Sequence, residues 1–208
     1  MTEKEILAQY IPEAAIEPVY KSIVEHKIHF KITRSRKTKL GDYRPPIRHP
    51  HHRITINHDL NQYSFLITYI HELAHLLVYE HYKNRVAPHG KEWKQIYKDL
   101  MNEFLLLDIF PKDIETVLER SIQNSPEGIP KVKASSTSDL KLSRILQQYD
   151  KTNDHTHVEE LADEAIFETQ NGRQFKKGER VRTRYKCQNL QNKRTYLFHP
   201  LTPVIPVN

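Results

Sequence analysis

The sequence predicts an α+β fold in which helices pack on a small three-stranded sheet and a small antiparallel β module follows. Three observations support this fold class. Apolar residues recur at helical spacing in the first half of the chain, short segments of alternating polarity interrupt them, and a stretch rich in Ser, Pro, Lys and Thr divides the chain. We therefore expect a helical domain over residues 1–122, a linker over 123–139 and a basic, β-rich module over 140–208.

The elements of the first domain follow from periodicity and from turn signals. Apolar side chains fall on one helical face between residues 6 and 25, whereas residues 28–32 alternate as a half-buried strand does. Gly41-Asp42 and Pro45-Pro46 mark turns around a second short strand. The predicted elements are helix 6–25, strands 28–32, 38–43 and 53–57, and helices 59–82, 91–107 and 113–122. A further short helix is expected over 140–149, after the linker.

The long helix carries the sequence His71-Glu72-Leu73-Ala74-His75. Residues four apart lie about 40° apart around a helix axis and about 6 Å apart along it, so the two imidazoles can reach one metal ion. Zinc lowers the pKa of a bound water toward about 7, and a neighbouring carboxylate can then accept the proton. The motif predicts one zinc ion on His71 and His75, with Glu72 as the catalytic base.

A catalytic zinc site needs a third protein ligand. His81 is excluded on a continuous helix because it lies about 240° around the axis from His75. His89 follows a helix break, between Pro88 and Gly90, and can fold back toward the first two ligands. We favour His89, and Glu92 or Glu103 on the next helix is the alternative.

Two other groups of potential ligands are expected to bind no metal. His49, His51 and His52 flank Pro50 in a basic loop, which is typical of a solvated turn. Cys187 is the single cysteine of the chain, so a thiolate cage cannot close and no intrachain disulfide can form. We expect Cys187 to be a small buried side chain.

The net charge of +6 is concentrated in two stretches. Residues 27–53 and 173–194 each contain nine Lys or Arg residues and one acid, which suggests an anionic partner, with nucleic acid as the first candidate. Alternate residues of a strand share one face, so Arg180, Arg182 and Arg184 are expected to form a row that contacts phosphates. A solvated strand face explains either stretch equally well.

The composition also bounds the setting of the protein. Charged residues make up 28% of the chain, and its strongest apolar run is too short to span a bilayer. The first residues lack the apolar segment of a signal peptide. We expect a cytoplasmic protein without a membrane partner, and the oligomeric state stays open.

Residues 71–81 and 85–93 resemble the SprT-like family of zinc metalloproteases, to which the Spartan-type proteases that digest DNA-crosslinked proteins belong. The loop length, the His89-Gly90 pair and Trp93 all agree with the family pattern. The resemblance implies a zincin-like fold and a protein substrate, with DNA as a candidate partner. It also implies His71, His75 and His89 as the metal ligands and Glu72 as the base.

Two further expectations accompany this resemblance. The strand over 53–57 corresponds to the strand that precedes the active helix in the family, and an extended substrate could pair with it if it lies at a sheet edge. Trp93 is expected to be a core residue that braces the loop of the third ligand.

The C-terminal part resembles the small zinc-ribbon module of the family, through Phe175, Gly178, the run 180–187 and Tyr196-Leu197. A ribbon needs four thiolate or imidazole ligands, and only Cys187 remains, with His199 as the one further candidate. The resemblance therefore implies a ribbon-like sheet without its metal.

Three functions compete at this point. The first is a zinc metalloendopeptidase held near nucleic acid by its basic stretches. The second is a nucleic-acid-binding protein with a structural or inactive zinc site, against which Glu72 argues because a structural site does not need it. The third is a metal hydrolase of another substrate class, since zinc-water chemistry is shared among such enzymes.

Overall fold

The computed structural model describes residues 1–36, 38–47, 50–123, 137–150 and 156–207. These residues form two compact units, one from the residues up to 123 together with Ser138–Asp150, and the other from residues 156–207. Helices and a three-stranded mixed sheet build the first unit, and a separate antiparallel sheet builds the second, which confirms the α+β fold class. Residues 124–136 of the predicted linker lie outside the described ranges.

The first unit follows the predicted order of helices and strands, and it also contains the two short helices predicted after residue 107. Its elements are α1 (Glu3–Leu7), α2 (Glu13–Glu25), β1 (Ile28–Thr33), β2 (Gly41–Arg44), β3 (His52–Asn57), α3 (Gln62–Tyr82), α4 (Lys91–Leu105), α5 (Lys112–Gln123) and α6 (Thr137–Gln147).

The predicted single helix over residues 6–25 is wrong, because the chain forms α1 and α2 with a break between them. Pro12 is the N-terminal cap of α2 and has an extended backbone, with φ −58° and ψ 147°. Proline lacks an amide hydrogen and disfavours helical geometry in the residue before it, which favours a break at Ile11 and Pro12, although α2 itself accommodates Pro18.

The central strand of the first sheet is β3, which lies between β1 and β2. It pairs with β1 in parallel and with β2 antiparallel, and Gly41 at the start of β2 lies opposite Ile56. Ile54 and Ile56 of β3 are fully buried. The strand over 53–57 therefore offers no edge to a substrate, and the edges of this sheet are β1 and β2.

Helix α3 lies in the centre of the first unit, where its residues Phe65, Leu66, Tyr69 and Ile70 are buried in the core. The helix begins at a side-chain cap, because the Asn61 carbonyl oxygen accepts hydrogen bonds from the backbone N–H groups of the second and third helical residues, at 3.1 and 2.9 Å. The cap fixes the first turn of the helix that carries the H-E-x-x-H sequence.

Helix α6 belongs to the first unit, so the predicted boundary that placed residues 140–208 in one β module is wrong. Leu142 and Leu146 are buried in the core of the first unit. The Asn61 amide nitrogen also donates to the Leu146 carbonyl at 2.8 Å and to the Asp150 carboxylate at 2.6 Å. Burial of these apolar side chains holds the helix to the unit in which α3 lies.

Residues 156–207 form an antiparallel sheet with the strand order β4-β9-β5-β6-β7-β8. A small core of Val158, Phe167, Phe175, Cys187 and Val204 lies on one side. The prediction that Cys187 is a small buried side chain is confirmed. The strands are β4 (Thr156–His157), β5 (Ile166–Glu168), β6 (Gln174–Val181), β7 (Arg184–Asn189), β8 (Thr195–Phe198) and β9 (Pro203–Val207).

None of the helices in the described ranges combines the length and the apolar character that crossing a membrane requires.

Substitution of Asn61 tests whether the cap joins α3 to α6. Asn61→Ala removes the cap and the side-chain hydrogen bonds to the Leu146 carbonyl and the Asp150 carboxylate, so we expect the free energy of unfolding to fall by about 2–4 kcal/mol. Asn61→Ser keeps a capping oxygen but cannot reach Leu146, and it should lose about half as much. Urea denaturation followed by circular dichroism measures both, and an unchanged midpoint for Asn61→Ala would contradict the role of the cap.

Candidate metal centre

His71 and His75 lie one helical turn apart on α3, and their ring centroids are 5.0 Å apart. Both side chains are partly buried. The four-residue spacing puts them on the same face of the helix. A continuous helix thus fixes two of the three predicted ligands with respect to each other.

His89 reaches these two histidines from the loop between α3 and α4. The helix ends at Tyr82, and His89 has a positive φ of 66°, which turns the chain back toward α3. Its Nε2 atom lies 3.2 Å from the Nε2 atom of His71. One ring nitrogen from each of His71, His75 and His89 lies within 4.8 Å of the other two, so the group could hold a metal ion.

Trp93 packs beneath this group. The indole ring lies 4.6, 5.1 and 4.7 Å from the ring centroids of His71, His75 and His89, and it stacks on Tyr97 at 5.1 Å. Trp93 is 1% exposed. The prediction that this tryptophan is a core residue bracing the third-ligand loop is confirmed by its contact with all three imidazoles.

Burial, together with a smaller contribution from His89, lowers the pKa of His75 to about 4. The imidazole is therefore neutral at pH 7, which is the form that donates a lone pair to a metal. His75 is accordingly in the form that can bind a cation.

Glu72 is buried beside the histidines, at 7% exposure. Burial, with a smaller contribution from the charge of Asp42, raises the pKa of the Glu72 carboxyl to about 8. A hydrogen bond from the Tyr43 backbone N–H and the charges of Arg36 and Lys39 oppose this increase. Glu72 is thus a partly desolvated carboxylate held by the edge strand of the sheet, and a cation nearby would stabilise its charged form.

The alternative ligands lie apart from the three-histidine group. His81 is exposed, and its Nδ1 atom lies 2.9 Å from the carbonyl oxygen of Leu77. Among the described residues, the group of metal-binding side chains that converge contains neither Glu92 nor Glu103. The structure thus brings together the three predicted histidines and leaves the carboxylate alternatives outside.

The expectation of a solvated turn is wrong for His52, which belongs to β3 and whose side chain is 13% exposed. Its Nδ1 atom lies 2.8 Å from the Tyr43 hydroxyl, and its Nε2 atom lies 3.7 Å from the Glu80 carboxylate. Glu80 also contacts His26 at 3.1 Å. These contacts join β2 and β3 to the second half of α3, whereas His49 lies outside the described residues.

Sequence reasoning missed the residues of β2 that adjoin Glu72. The predicted strand 38–43 includes Gly41 only as a turn signal, whereas Gly41 is the first residue of β2 and its backbone approaches the Glu72 side chain closely. Glycine within a predicted strand indicates a close approach of another group, and this signal was available. The Tyr43 N–H gave no signal, because a backbone group leaves no trace in the sequence.

The three arginines of the second unit do not form the predicted row. Arg180 pairs with Tyr185 and Arg184 pairs with Val181, so the two arginines lie on opposite faces of the hairpin. Arg182 has a positive φ of 54° and lies in the turn after β6. All three side chains are exposed, and together they surround the tip of the β6–β7 hairpin.

Comparison with known proteins points to one family. Three similar proteins are each called Protein SprT. That of Klebsiella pneumoniae (strain 342) is 52% identical over 42 residues, which cover 20% of this chain and 25% of that protein. That of Enterobacter sp. (strain 638) is 63% identical over 35 residues, covering 16% and 21%. That of Escherichia coli (strain K12 / DH10B) is 61% identical over 31 residues, covering 15% and 18%.

The matched segments therefore span a quarter or less of these relatives, and no solved structure matches the chain. The model of the SprT-like family matches residues 13–116, which is half of the chain. That stretch contains α3, the loop after it and α4, and with them all three histidines and Glu72. The protein belongs to the SprT-like family.

Proposed function

We propose that this protein is a zinc-dependent metalloendopeptidase that hydrolyses peptide bonds. The observation that carries the proposal is the convergence of three imidazole nitrogens within 4.8 Å beside a buried carboxylate. Three histidine ligands are typical of catalytic zinc sites, which keep a fourth position for water or substrate. A purely structural site has no need of the carboxylate.

The donor set fits zinc. His71, His75 and His89 each offer a ring nitrogen as a ligand, and imidazole suits zinc among the common divalent ions. The described residues bring no thiolate to the group, and Cys187 lies in the other unit. When bound, the ion would supply Lewis-acid activation of water and of the scissile carbonyl.

Glu72 performs the proton transfers in this proposal. Its carboxylate accepts the proton of the attacking water and returns it to the leaving amine, so the residue is a base in the first step and an acid in the second. The position next to His71 on α3 keeps the carboxylate near the metal without making it a ligand. Its burial excludes bulk water, which strengthens its interaction with developing charge.

The substrate class is an extended segment of protein. Strand β2 has an outer edge, since β3 covers only its other side, and its Tyr43 N–H reaches Glu72. An extended segment that pairs with this edge by main-chain hydrogen bonds would lie beside the base. Strand β2 thus takes the role that the sequence analysis considered for β3.

Nucleic acid is the partner that we propose for the second unit. The support is the exposed basic tip of the β6–β7 hairpin, which presents Arg180, Arg182 and Arg184 in different directions. Guanidinium groups spread around a tip suit contact with a phosphate backbone, which supplies affinity without reading sequence. Such binding would place the peptidase near proteins that are themselves bound to nucleic acid.

Replacement of Glu72 tests the catalytic proposal. Glu72→Gln keeps the shape of the side chain but cannot accept a proton, so we expect stoichiometric zinc with kcat for an unfolded protein substrate reduced by about 10²- to 10⁴-fold. Metal analysis and a cleavage assay provide the two measurements. Glu103→Gln, on an exposed position of α4, is the matched control. Undiminished cleavage with zinc retained would leave only the structural or inactive site.

Removal of the third ligand tests the metal centre. We expect His89→Ala to lose stoichiometric zinc after dialysis, because two imidazoles leave the ion incompletely coordinated. His81→Ala removes an exposed histidine of the same region and should retain one zinc per chain. Inductively coupled plasma mass spectrometry measures both variants, and full zinc in His89→Ala would show that another side chain is the third ligand.

Neutralising the hairpin tip tests the nucleic-acid proposal. We expect the triple change of Arg180, Arg182 and Arg184 to Gln to weaken binding to duplex DNA and to reduce the slope of log K against log salt by up to about 3. Fluorescence anisotropy over a salt series gives this slope. The matched control neutralises the exposed Lys21, Lys91 and Lys98 of the first unit. A slope that changes only in the control would remove the tip from the proposal.

A further inference from the structure

Strand β2 crosses α3 at Glu72 and leaves no space between them. A Cβ atom on Gly41 would lie 2.6 Å from Oε1 and 2.8 Å from Cγ of Glu72, and 2.7 Å from Cγ2 of Thr68. Real Cβ atoms essentially never approach other heavy atoms closer than 3.0 Å. The Cα of Gly41 therefore forms one wall of the space that holds the Glu72 carboxyl group.

Glycine is required at this position because there is no room for a side chain, and not because of the backbone conformation. Among the described glycines, Gly172 has a positive φ, and Gly41 does not. Alanine could adopt the strand conformation of residue 41 without strain. The three heavy atoms nearest to its methyl group would all belong to the side chains of Glu72 and Thr68.

A second residue of β2 holds the same carboxyl group. The Tyr43 backbone N–H donates to Glu72, and the Tyr43 hydroxyl lies 2.8 Å from Nδ1 of His52 on the neighbouring strand. This hydrogen bond joins the carboxylate to the same strand as Gly41. Because Gly41 has no side chain, the Glu72 carboxylate can lie close to the backbone of β2.

The start of β2 is also anchored. Arg36 donates to the Asn57 side chain at 2.8 Å, to the Thr55 hydroxyl at 3.0 Å and to the Leu40 carbonyl at 3.3 Å. Asn57 in turn donates to the carbonyl of Lys39 at 3.0 Å. This network ties the segment before Gly41 to β3, so the strand cannot retreat easily from a larger side chain.

We propose that Gly41 is a positioning residue that sets the place of the Glu72 carboxylate for proton transfer. The proposal rests on the proposed role of Glu72 as the general base. A displacement of a catalytic group by about 1 Å can reduce a rate by about 10²-fold. Gly41 is not a metal ligand, and its lack of a side chain affects proton transfer only through the position of Glu72.

The two side chains that an added methyl group would contact differ in how easily they can move. The Glu72 carboxyl group is the end of a flexible side chain, whereas Thr68 is β-branched and its hydroxyl donates to the Ser64 carbonyl at 2.7 Å. Glu72 is therefore the group that moves. Replacement of glycine by alanine also reduces the freedom of the unfolded chain, which supports retention of the fold.

The test uses the full-length, zinc-loaded chain in steady-state proteolysis of an unfolded protein. We expect Gly41→Ala to reduce kcat by about 10- to 100-fold, with KM, zinc stoichiometry and melting temperature close to those of the unchanged protein. Thr68→Ser, which keeps the hydroxyl and removes Cγ2, is the matched control and should retain full activity. The double variant Gly41→Ala/Thr68→Ser removes the clash with Thr68 but should stay slow, because the clash with Glu72 remains.

A Glu72→Gln background separates this proposal from the proposed function. If Gly41 acts only through the carboxylate, Gly41→Ala/Glu72→Gln should have the same residual kcat as Glu72→Gln alone. A further tenfold loss in the double variant would overturn the positioning role, as would an unchanged kcat for Gly41→Ala. Unfolding of both Gly41→Ala and Gly41→Ala/Thr68→Ser would also overturn it, since glycine would then serve packing alone. Full activity of Glu72→Gln itself would refute the base and not the geometry of β2.

Discussion

Three imidazole rings lie in contact with one another in this protein, and the packing of the first unit around them holds them in place. The ring centroids of His71, His75 and His89 lie 4.6–5.2 Å apart. Protonated imidazoles at this distance would repel one another, so the arrangement favours neutral rings or a cation between them. The lowered pKa of His75 agrees with this requirement.

Each neighbouring element helps to hold the three rings and Glu72 in place. A capped, buried α3 holds two rings at fixed spacing, and the break after Tyr82 lets the chain return with the third. Trp93 on α4 supports all three rings from below. On the other side, β2 holds Glu72 in place. The proposed chemistry therefore depends on packing between elements that are distant in sequence, and not on the motif alone.

Much of this centre could be predicted from local sequence. The spacing of His71 and His75 is a property of any helix, and the break at Pro88 made His89 the best-placed third histidine. The contact of Gly41 with Glu72 could not be predicted, because it depends on how a strand some thirty residues earlier crosses the helix. The central position of β3 was equally hidden, since strand order is a non-local property.

Two wrong predictions have local causes. The row of arginines assumed a strand through residue 184, but the chain turns at Arg182 without the Gly or Asn that usually marks a tight hairpin. The boundary at residue 140 assumed that the residues after a polar stretch belong to the next unit. Leu142 and Leu146 are instead part of the core of the first unit. The first unit therefore extends beyond residue 116, where the family match ends.

Zinc K-edge X-ray absorption of the purified full-length protein tests the central claim most directly, because it reports the atoms bound to the ion. The account predicts three imidazole nitrogens at about 2.0–2.1 Å and one oxygen. It also predicts no sulfur, because Cys187 is buried in the second unit. Sulfur at about 2.3 Å, or fewer than three imidazoles around the ion, would contradict the three-histidine centre.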